Sequence, residues 1–121
     1  MLKVDRVLIV DDSQDIRDMI SINLNSQDCE AMGSDSRDGA MTILQSGWIA
    51  DLILLDYHMP GMSIKTFLRK LLDLHTFSVP RIVLMTAGID ADKLARELGI
   101  PEVLRKPFDA SNTLLEIAHC R

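Results

Sequence analysis

Asp56 is the residue whose position in the sequence most favours chemistry. It follows the apolar run 52–55 and precedes the turn pair Pro60-Gly61. Four consecutive apolar residues predict a strand that is buried on both faces, which places Asp56 at the carboxyl end of that strand. A single aspartate in such a place is more often a turn former or a helix cap than a reactive group. Its role therefore depends on which other side chains reach the same point.

Polar side chains also stand at the carboxyl ends of other predicted strands. They are Asp11, Asp12, Thr86 and Lys106. The carboxyl ends of parallel strands meet at one edge of a sheet, so we expect three carboxylates, a hydroxyl and an ammonium group to lie together. Taken singly, Asp12 could be a helix cap, Lys106 a surface lysine and Thr86 an ordinary strand residue. Their convergence with Asp56 favours a functional site.

Three carboxylates at one point need a cation. Two carboxylates about 4 Å apart repel each other by roughly 4 kcal/mol at an effective dielectric constant of about 20. A hard divalent ion relieves this repulsion, and Mg²⁺ suits a site with few protein ligands and retained water molecules. A carboxylate beside Mg²⁺, a lysine and a threonine is an arrangement that phosphoryl transfer uses. The residues therefore predict Asp56 as the nucleophile that forms an acyl phosphate, with Asp11 and Asp12 holding the metal.

The elements that must position these residues are predicted from apolar runs and amphipathic segments. Strands are predicted at residues 7–10, 29–33, 52–55, 81–86 and 102–105. Helices are predicted at 14–26, around the inner residues Ala40, Met41 and Leu44, from Ile64 to before Pro80, from Asp90 to Gly99, and after Asp109 around Leu114, Leu115, Ile117 and Ala118. Asp12 or Ser13 is predicted to cap the first helix. This alternation predicts an α/β fold: a doubly wound, five-stranded parallel sheet in the flavodoxin-like order 2-1-3-4-5, with helices on both faces.

Length and composition limit the possible classes of protein. At 121 residues the chain is expected to form one domain over residues 1–121, and its hydrophobic content of 47% argues against disorder. The net charge of -5 and the scattered basic residues argue against direct nucleic-acid binding. Cys29 and Cys120 lack the spacing of a redox or zinc site, which favours buried thiols in a reducing compartment. No signal peptide or membrane span is predicted, so the expected location is the cytoplasm.

Several motifs together carry a family resemblance that runs the length of the chain. In chain order they are Asp11-Asp12, Asp56 followed by Met59-Pro60-Gly61, Thr86-Ala87 and Lys106-Pro107-Phe108. This set resembles the receiver domain of two-component response regulators, the CheY-like family. The resemblance implies phosphorelay signal transduction, in which Asp56 accepts a phosphoryl group from a sensor histidine kinase or a histidine phosphotransfer domain. It also implies a signalling domain rather than a separate enzyme, one that assists its own phosphorylation and dephosphorylation and switches the binding of a downstream protein partner or output domain.

The resemblance also implies roles for individual residues. The implied Mg²⁺ ligands are the carboxylates of Asp11, Asp12 and Asp56 and the backbone carbonyl of His58. Thr86 matches the hydroxyl that moves toward the phosphoryl group, and Lys106 matches the ammonium group that pairs with it. The Lys106-Pro107 bond is a candidate for the cis isomer.

The sequence departs from the family pattern at several positions. Val103 stands where receiver domains commonly carry a Tyr or Phe that rotates during switching. The segment 86–106 is slightly short, which predicts a clipped fourth helix and a reshaped output face. His58 and Gly88 flank the expected path of the attacking water, so both are predicted to influence the lifetime of the phosphoryl group.

Three other functions stay open at this point. A flavodoxin-like cofactor binder needs a Ser/Thr/Gly-rich loop after the first strand, whereas the acids within residues 11–15 would repel a phosphate. A Mg²⁺-dependent aspartyl phosphatase usually has a D-x-D arrangement after the first strand, whereas here the acids are adjacent. A receiver-like protein-interaction scaffold would keep the fold and no longer accept a phosphoryl group.

Residues outside this set receive structural interpretations. The side chains of His58, His75 and His119 lack metal-binding spacing and are predicted not to bind a metal. Trp48 is predicted to pack at a helix end, and Tyr57 to lie partly exposed beside the site.

Overall fold

The computed structural model describes residues 5–74 and 79–106. Within this part of the chain the strands are β1 Arg6–Val10, β2 Glu30–Ser34, β3 Leu52–Asp56, β4 Arg81–Thr86 and β5 Glu102–Arg105. The helices are α1 Gln14–Asn25, α2 Arg37–Gln45, α3 Ile64–Leu74 and α4 Ala91–Leu98. None of these helices is long and apolar enough to span a membrane. The predicted last helix around Leu114, Leu115, Ile117 and Ala118 with its cap Asp109, the Lys106-Pro107 bond, His75, His119 and Cys120 lie outside the described residues.

The strands form one parallel sheet in the order β2-β1-β3-β4-β5, which confirms the predicted order. β1 pairs with β2 on one side and with β3 on the other, with Val10 opposite Leu55. The strand order reverses there, so β1 and β3 end at the topological switch point where ligands bind in this class of fold. Thr86 lies opposite Arg105, which brings the end of β5 beside the end of β4. The carboxyl ends that carry the predicted site residues thus lie at one edge of the sheet.

The core lies on both faces of the sheet, as predicted for helices on both sides. On one face, Ile20 and Leu24 of α1 pack with strand residues that include Ile9 and Leu54. On the other face, α2, α3 and α4 contribute Met41, Leu44, Phe67, Leu71 and Ala95. Every residue of the central strand β3 is buried, including Asp56. The continuous apolar runs in the sequence therefore reflect strands that contact helices on both sides.

Helix α1 begins with a serine cap that leaves Asp12 out of the capping. Oγ of Ser13 accepts a hydrogen bond from the N–H of Ile16 at 3.4 Å, and Asp12 is exposed. Of the two predicted caps, Ser13 is therefore the one used. At the start of α4, Asp90 occupies the cap position as predicted, but its side chain forms no cap hydrogen bond.

The predicted boundary between α1 and β2 differs from the structure by one residue. The N–H of Cys29 donates to the carbonyl of Leu24 at 3.0 Å. Cys29 thus completes the end of the helix, and β2 begins at Glu30. The helix itself ends at Asn25, with Ser26 as its C-cap.

Candidate functional site

Three carboxylates from two strand ends converge at the carboxyl edge of the sheet. Asp11 and Asp12 follow β1, and Asp56 is the last residue of β3. One oxygen atom from each of the three side chains lies within 4.8 Å of the others. Asp11 and Asp56 are buried, whereas Asp12 is exposed. The predicted grouping of these carboxylates is therefore present, and their hard oxygen donors fit a divalent cation such as Mg²⁺.

Lys106 joins the cluster from the end of β5. Its backbone N–H donates to the carbonyl of Thr86 at 3.0 Å, which fixes the start of the side chain at the sheet edge. Its Nζ atom then lies 2.6 Å from Oδ2 of Asp11 and 3.3 Å from Oδ1 of Asp56. The ammonium group therefore contacts both buried carboxylates at once, and it offsets part of their mutual repulsion.

Burial and charge shift the pKa values of two groups in this cluster. Burial and the negative charge of Asp11 raise the pKa of Asp56 above its ordinary value, and contacts with Lys106 and the N–H of His58 offset only part of that rise. Burial by itself lowers the pKa of Lys106, but the hydrogen bond to Asp11 and the charges of both carboxylates outweigh it, so this pKa is raised. The lysine is thus held in its charged form, while Asp56 sits where an additional positive charge would favour its anion.

Thr86 ends β4 beside the cluster, with its hydroxyl engaged by two neighbours. The side chain is fully buried. Its Oγ1 accepts a hydrogen bond from the N–H of Gly88 at 3.1 Å, and it lies 3.4 Å from Nε2 of His58. The two residues predicted to flank the path of water, His58 and Gly88, therefore both contact the threonine hydroxyl. The loop that carries His58 also folds back on the acid, since the N–H of His58 donates to Oδ1 of Asp56 at 3.4 Å.

Arg37 is a residue of the site that the sequence analysis missed. It is the first residue of α2 and is only 3% exposed. Its guanidinium group donates to backbone carbonyls of the loop after β3, namely those of Asp56, Tyr57, Met59 and Met62. A signal was present in the sequence, because a cation in the first turn of a helix opposes the helix dipole and so needs another reason to be there.

The loop after β3 also packs closely against the start of α2, and the contact is made at Gly61. Gly61 has φ +91°, a conformation that side chains disfavour, and a Cβ added there would lie 3.0 Å from Oδ2 of Asp38. The same carboxylate accepts a hydrogen bond from the N–H of Met62 at 3.5 Å. The Pro60-Gly61 turn therefore brings the loop against α2.

Several residues predicted to have structural roles lie around the site or in the core. Tyr57 is half-buried and meets the ring of His58 edge-on at 4.9 Å, as predicted for a partly exposed neighbour. Trp48 packs against the core at the end of α2, which confirms its structural interpretation. Val103 is half-buried in β5 and packs against the same core cluster. Helix α4 is eight residues long, consistent with the predicted clipped helix.

Comparison with known proteins decides the family. The sequence model of the response regulator receiver domain matches residues 7–118. The chain belongs to this family. The receiver-domain resemblance inferred from the strand-end motifs is therefore confirmed, as is the CheY-like sheet order.

Curated relatives of this receiver domain are longer proteins. The phosphate regulon transcriptional regulatory protein PhoB of Klebsiella pneumoniae is 30% identical over 114 residues, which cover 93% of this chain and 49% of PhoB. A protein-glutamate methylesterase/protein-glutamine glutaminase of Cereibacter sphaeroides is 38% identical over 106 residues, which cover 84% of this chain and 28% of that protein. The chain thus spans about half or less of the length of these relatives.

Solved structures share the fold of this receiver domain. The chemotaxis response regulator CheY4 of Vibrio cholerae has a TM-score of 0.79 and 26% identity, with 94% of this chain and 96% of CheY4 covered. The response regulator TrrA of Thermotoga maritima, solved in complex with Mg²⁺ and BeF, has a TM-score of 0.76 and 24% identity, with 93% of this chain and 96% of TrrA covered.

Proposed function

We propose that this receiver domain accepts a phosphoryl group on Asp56 in a Mg²⁺-dependent reaction. The observation that carries the proposal is the position of Asp56 at the switch point of the sheet, in contact with Lys106 and grouped with Asp11 and Asp12. In the transfer, an oxygen of Asp56 forms a bond to phosphorus while the P–N bond of a phosphohistidine breaks. The electron pair of that bond stays on the leaving imidazole nitrogen.

The proposed metal ligands are the carboxylates of Asp11, Asp12 and Asp56 and the backbone carbonyl of His58. The fit is supported by the oxygen donors grouped within 4.8 Å, whose mutual repulsion Lys106 offsets only in part. Mg²⁺ held by these residues would neutralise charge on the phosphoryl oxygens. The complex of TrrA with Mg²⁺ and BeF is consistent with this assignment for a protein of the same fold.

Two other side chains act on the phosphoryl group in this proposal. The ammonium group of Lys106 already lies 3.3 Å from Oδ1 of Asp56, so it is placed to pair with a phosphoryl oxygen attached there. The hydroxyl of Thr86 donates to another phosphoryl oxygen, so its single proton is then not shared with Nε2 of His58, which lies 3.4 Å away. Phosphorylation then shifts a two-state equilibrium that involves Thr86 and the face containing α4 and β5.

The proposed partners follow from the same chemistry. The phosphoryl donor is a histidine of a sensor kinase or of a histidine phosphotransfer domain, and the signal passes to a downstream protein partner or output domain. The net charge of -5 disfavours direct contact with nucleic acid.

The proposed domain comprises residues 1–121. The proposed location of the protein is the cytoplasm.

The decisive experiment is intact mass measurement after incubation with Mg²⁺ and either acetyl phosphate or phosphoramidate. Wild type should gain one phosphoryl group, Asp56→Asn should gain none, and Asp73→Asn, which alters an exposed aspartate of α3, should behave as wild type. A wild-type protein that gains no mass with either donor would contradict the proposal and favour the scaffold function. Sustained turnover of a small phosphomonoester would instead favour the phosphatase.

A further inference from the structure

Arg37, the first residue of α2, places its buried guanidinium group against the loop that follows β3. Nη2 of Arg37 donates to the carbonyls of Asp56 at 3.0 Å and Tyr57 at 2.7 Å. Nη1 donates to the carbonyls of Met59 at 3.3 Å and Met62 at 2.8 Å. One side chain therefore holds both ends and the middle of the segment that carries the site.

This arrangement is costly unless the backbone contacts compensate for it. Arg37 is 3% exposed, and among the described residues it forms no salt bridge with a carboxylate. Burial lowers the pKa of Arg37, and the charge of Asp56 offsets part of that effect. Charge-assisted hydrogen bonds to four carbonyls offset most of this cost, while Nε of the same group is buried with no hydrogen-bond partner among the described residues. A cation used in this way fixes the orientation of peptide groups and does not serve as the partner of a single acid.

We propose that Arg37 is a positioning residue for the metal site, because it orients the backbone carbonyl of His58. The carbonyls on either side of it, those of Tyr57 and Met59, are both acceptors of Arg37, whereas the His58 carbonyl is not. The peptide group between His58 and Met59 is thus held between two fixed neighbours, which leaves its oxygen available to a cation. This inference rests on the proposed function, which makes that oxygen a Mg²⁺ ligand.

The geometry of the guanidinium group explains why an arginine is needed. Its planar fork presents several N–H donors in fixed directions, so it bonds carbonyls on two sides of a turn. A lysine at the same position would keep the charge but offers only a compact ammonium group. Arg37→Lys should therefore retain the charge and lose part of the loop geometry, whereas Arg37→Met loses both.

The test measures Mg²⁺ affinity by calorimetry and the Mg²⁺ dependence of phosphorylation by acetyl phosphate. Outer residues that orient metal ligands typically change affinity about tenfold or more, so we expect Arg37→Met to raise the Mg²⁺ dissociation constant by roughly tenfold. The phosphorylation rate at saturating Mg²⁺ should be close to that of wild type, a split that general destabilisation does not produce. Arg69→Met, which removes an exposed arginine of α3, is the matched control and should leave both values unchanged.

Two further variants, Arg37→Lys and Arg37→Ala, also test the role of Arg37. If Arg37→Met does not fold, Arg37→Lys serves in its place, with a weakened Mg²⁺ affinity expected. In Arg37→Ala, added methylguanidinium should restore Mg²⁺ affinity, while it should have no such effect on Asp12→Asn. A folded Arg37 variant with wild-type Mg²⁺ affinity would overturn the role of Arg37 alone. A wild type that neither binds Mg²⁺ nor becomes phosphorylated would overturn the proposed function itself.

Discussion

Nζ of Lys106 lies 2.6 Å from Oδ2 of Asp11, although the two residues are 95 positions apart in the sequence. This contact joins the end of β5 to the end of β1, across β3 and β4. The ammonium group of Lys106 forms an ion pair with a fully buried carboxylate, so each charge compensates for the other. In the metal-free protein, Lys106 therefore holds together an acidic cluster that would otherwise repel itself.

Removing Lys106 should destabilise the metal-free protein. A fully enclosed ion pair that loses one partner costs about 3 to 5 kcal/mol. The side chain of Lys106 is 18% exposed, so partial hydration reduces this cost, and we expect Lys106→Met to lower the free energy of unfolding by about 2 kcal/mol. Urea unfolding in EDTA measures the loss. Lys93→Met, which alters an exposed lysine of α4, is the control, and equal stabilities of the two variants would refute the structural role of Lys106.

Neutralising Asp56 should have the opposite effect on the metal-free protein. Burial and the charge of Asp11 disfavour the Asp56 anion, so Asp56→Asn should raise the free energy of unfolding in EDTA by about 1 kcal/mol, a typical gain when an unfavourable charge is removed. The same variant should gain less thermal stability from added Mg²⁺ than wild type does, because a ligand stabilises a protein according to its affinity for the folded state. Thermal melts with and without Mg²⁺ measure both effects. Equal Mg²⁺-induced gains would count against Asp56 as a metal ligand.

Asp56 and Lys106 should each affect the free energy of unfolding in a different pH range. The folded-state pKa of Asp56 is raised above 3.8 by burial and the charge of Asp11, so its stabilising contribution is complete below pH 3.8 and is lost as the pH rises through the raised value. The advantage of Asp56→Asn over wild type in EDTA should therefore grow as the pH rises from acid to neutral. A difference that stays constant over this range would contradict the shift.

Lys106 should affect the pH dependence of the free energy of unfolding at alkaline pH. The hydrogen bond to Asp11 and the charges of both carboxylates outweigh the effect of burial and raise the pKa of Lys106 above 10.5. Its contribution is complete below pH 10.5 and is lost as the pH rises through the folded-state value. The stability difference between wild type and Lys106→Met should consequently shrink above pH 10.5, which unfolding curves in EDTA can measure.

Thr86→Val should separate phosphorylation from switching. The valine has a similar shape but no hydroxyl, so Asp56 should still gain a phosphoryl group while the amide shifts of α4 on phosphorylation are reduced. The N–H of Gly88 also loses its acceptor, at a cost of about 1 kcal/mol. Intact mass and amide spectra measure the two outcomes, and Thr86→Ser, which keeps a hydroxyl, is the control. Undiminished remote shifts in Thr86→Val would show that the hydroxyl does not carry the signal.

The acidic cluster and its lysine were predictable because the sheet imposes their proximity. Apolar runs identify buried parallel strands, and the carboxyl ends of such strands meet at one edge regardless of the connecting helices. Asp11, Asp56, Thr86 and Lys106 needed only this rule. The alternation of strands and helices with right-handed connections predicted an open parallel sheet, and the number of strands, five, favoured the flavodoxin-like order over the common six-stranded one.

Arg37 was not predictable in the same way, because its partners are backbone carbonyls. Every residue carries a carbonyl, so no residue pattern in the segment 56–62 points to an arginine from another element. The choice between Asp12 and Ser13 as the cap of α1 was also undecided, since both can accept hydrogen bonds from a helix start. The structure decides it through the contact between Ser13 and Ile16.

That use of Ser13 divides two tasks of the segment after β1 between neighbouring residues. The serine serves the orphan N–H groups at the start of α1, and its own N–H donates to Oδ1 of Asp11 at 2.9 Å. Asp12 can therefore take up or release a cation without unwinding the first helical turn. Asp11 is coupled to that helix, because the N–H of Ser13 donates to its carboxylate and the guanidinium group of Arg17 in α1 donates to its backbone carbonyl at 2.6 Å. A change of charge at Asp11 therefore reaches the first turn of α1 directly, whereas a change at Asp12 does not act through the cap.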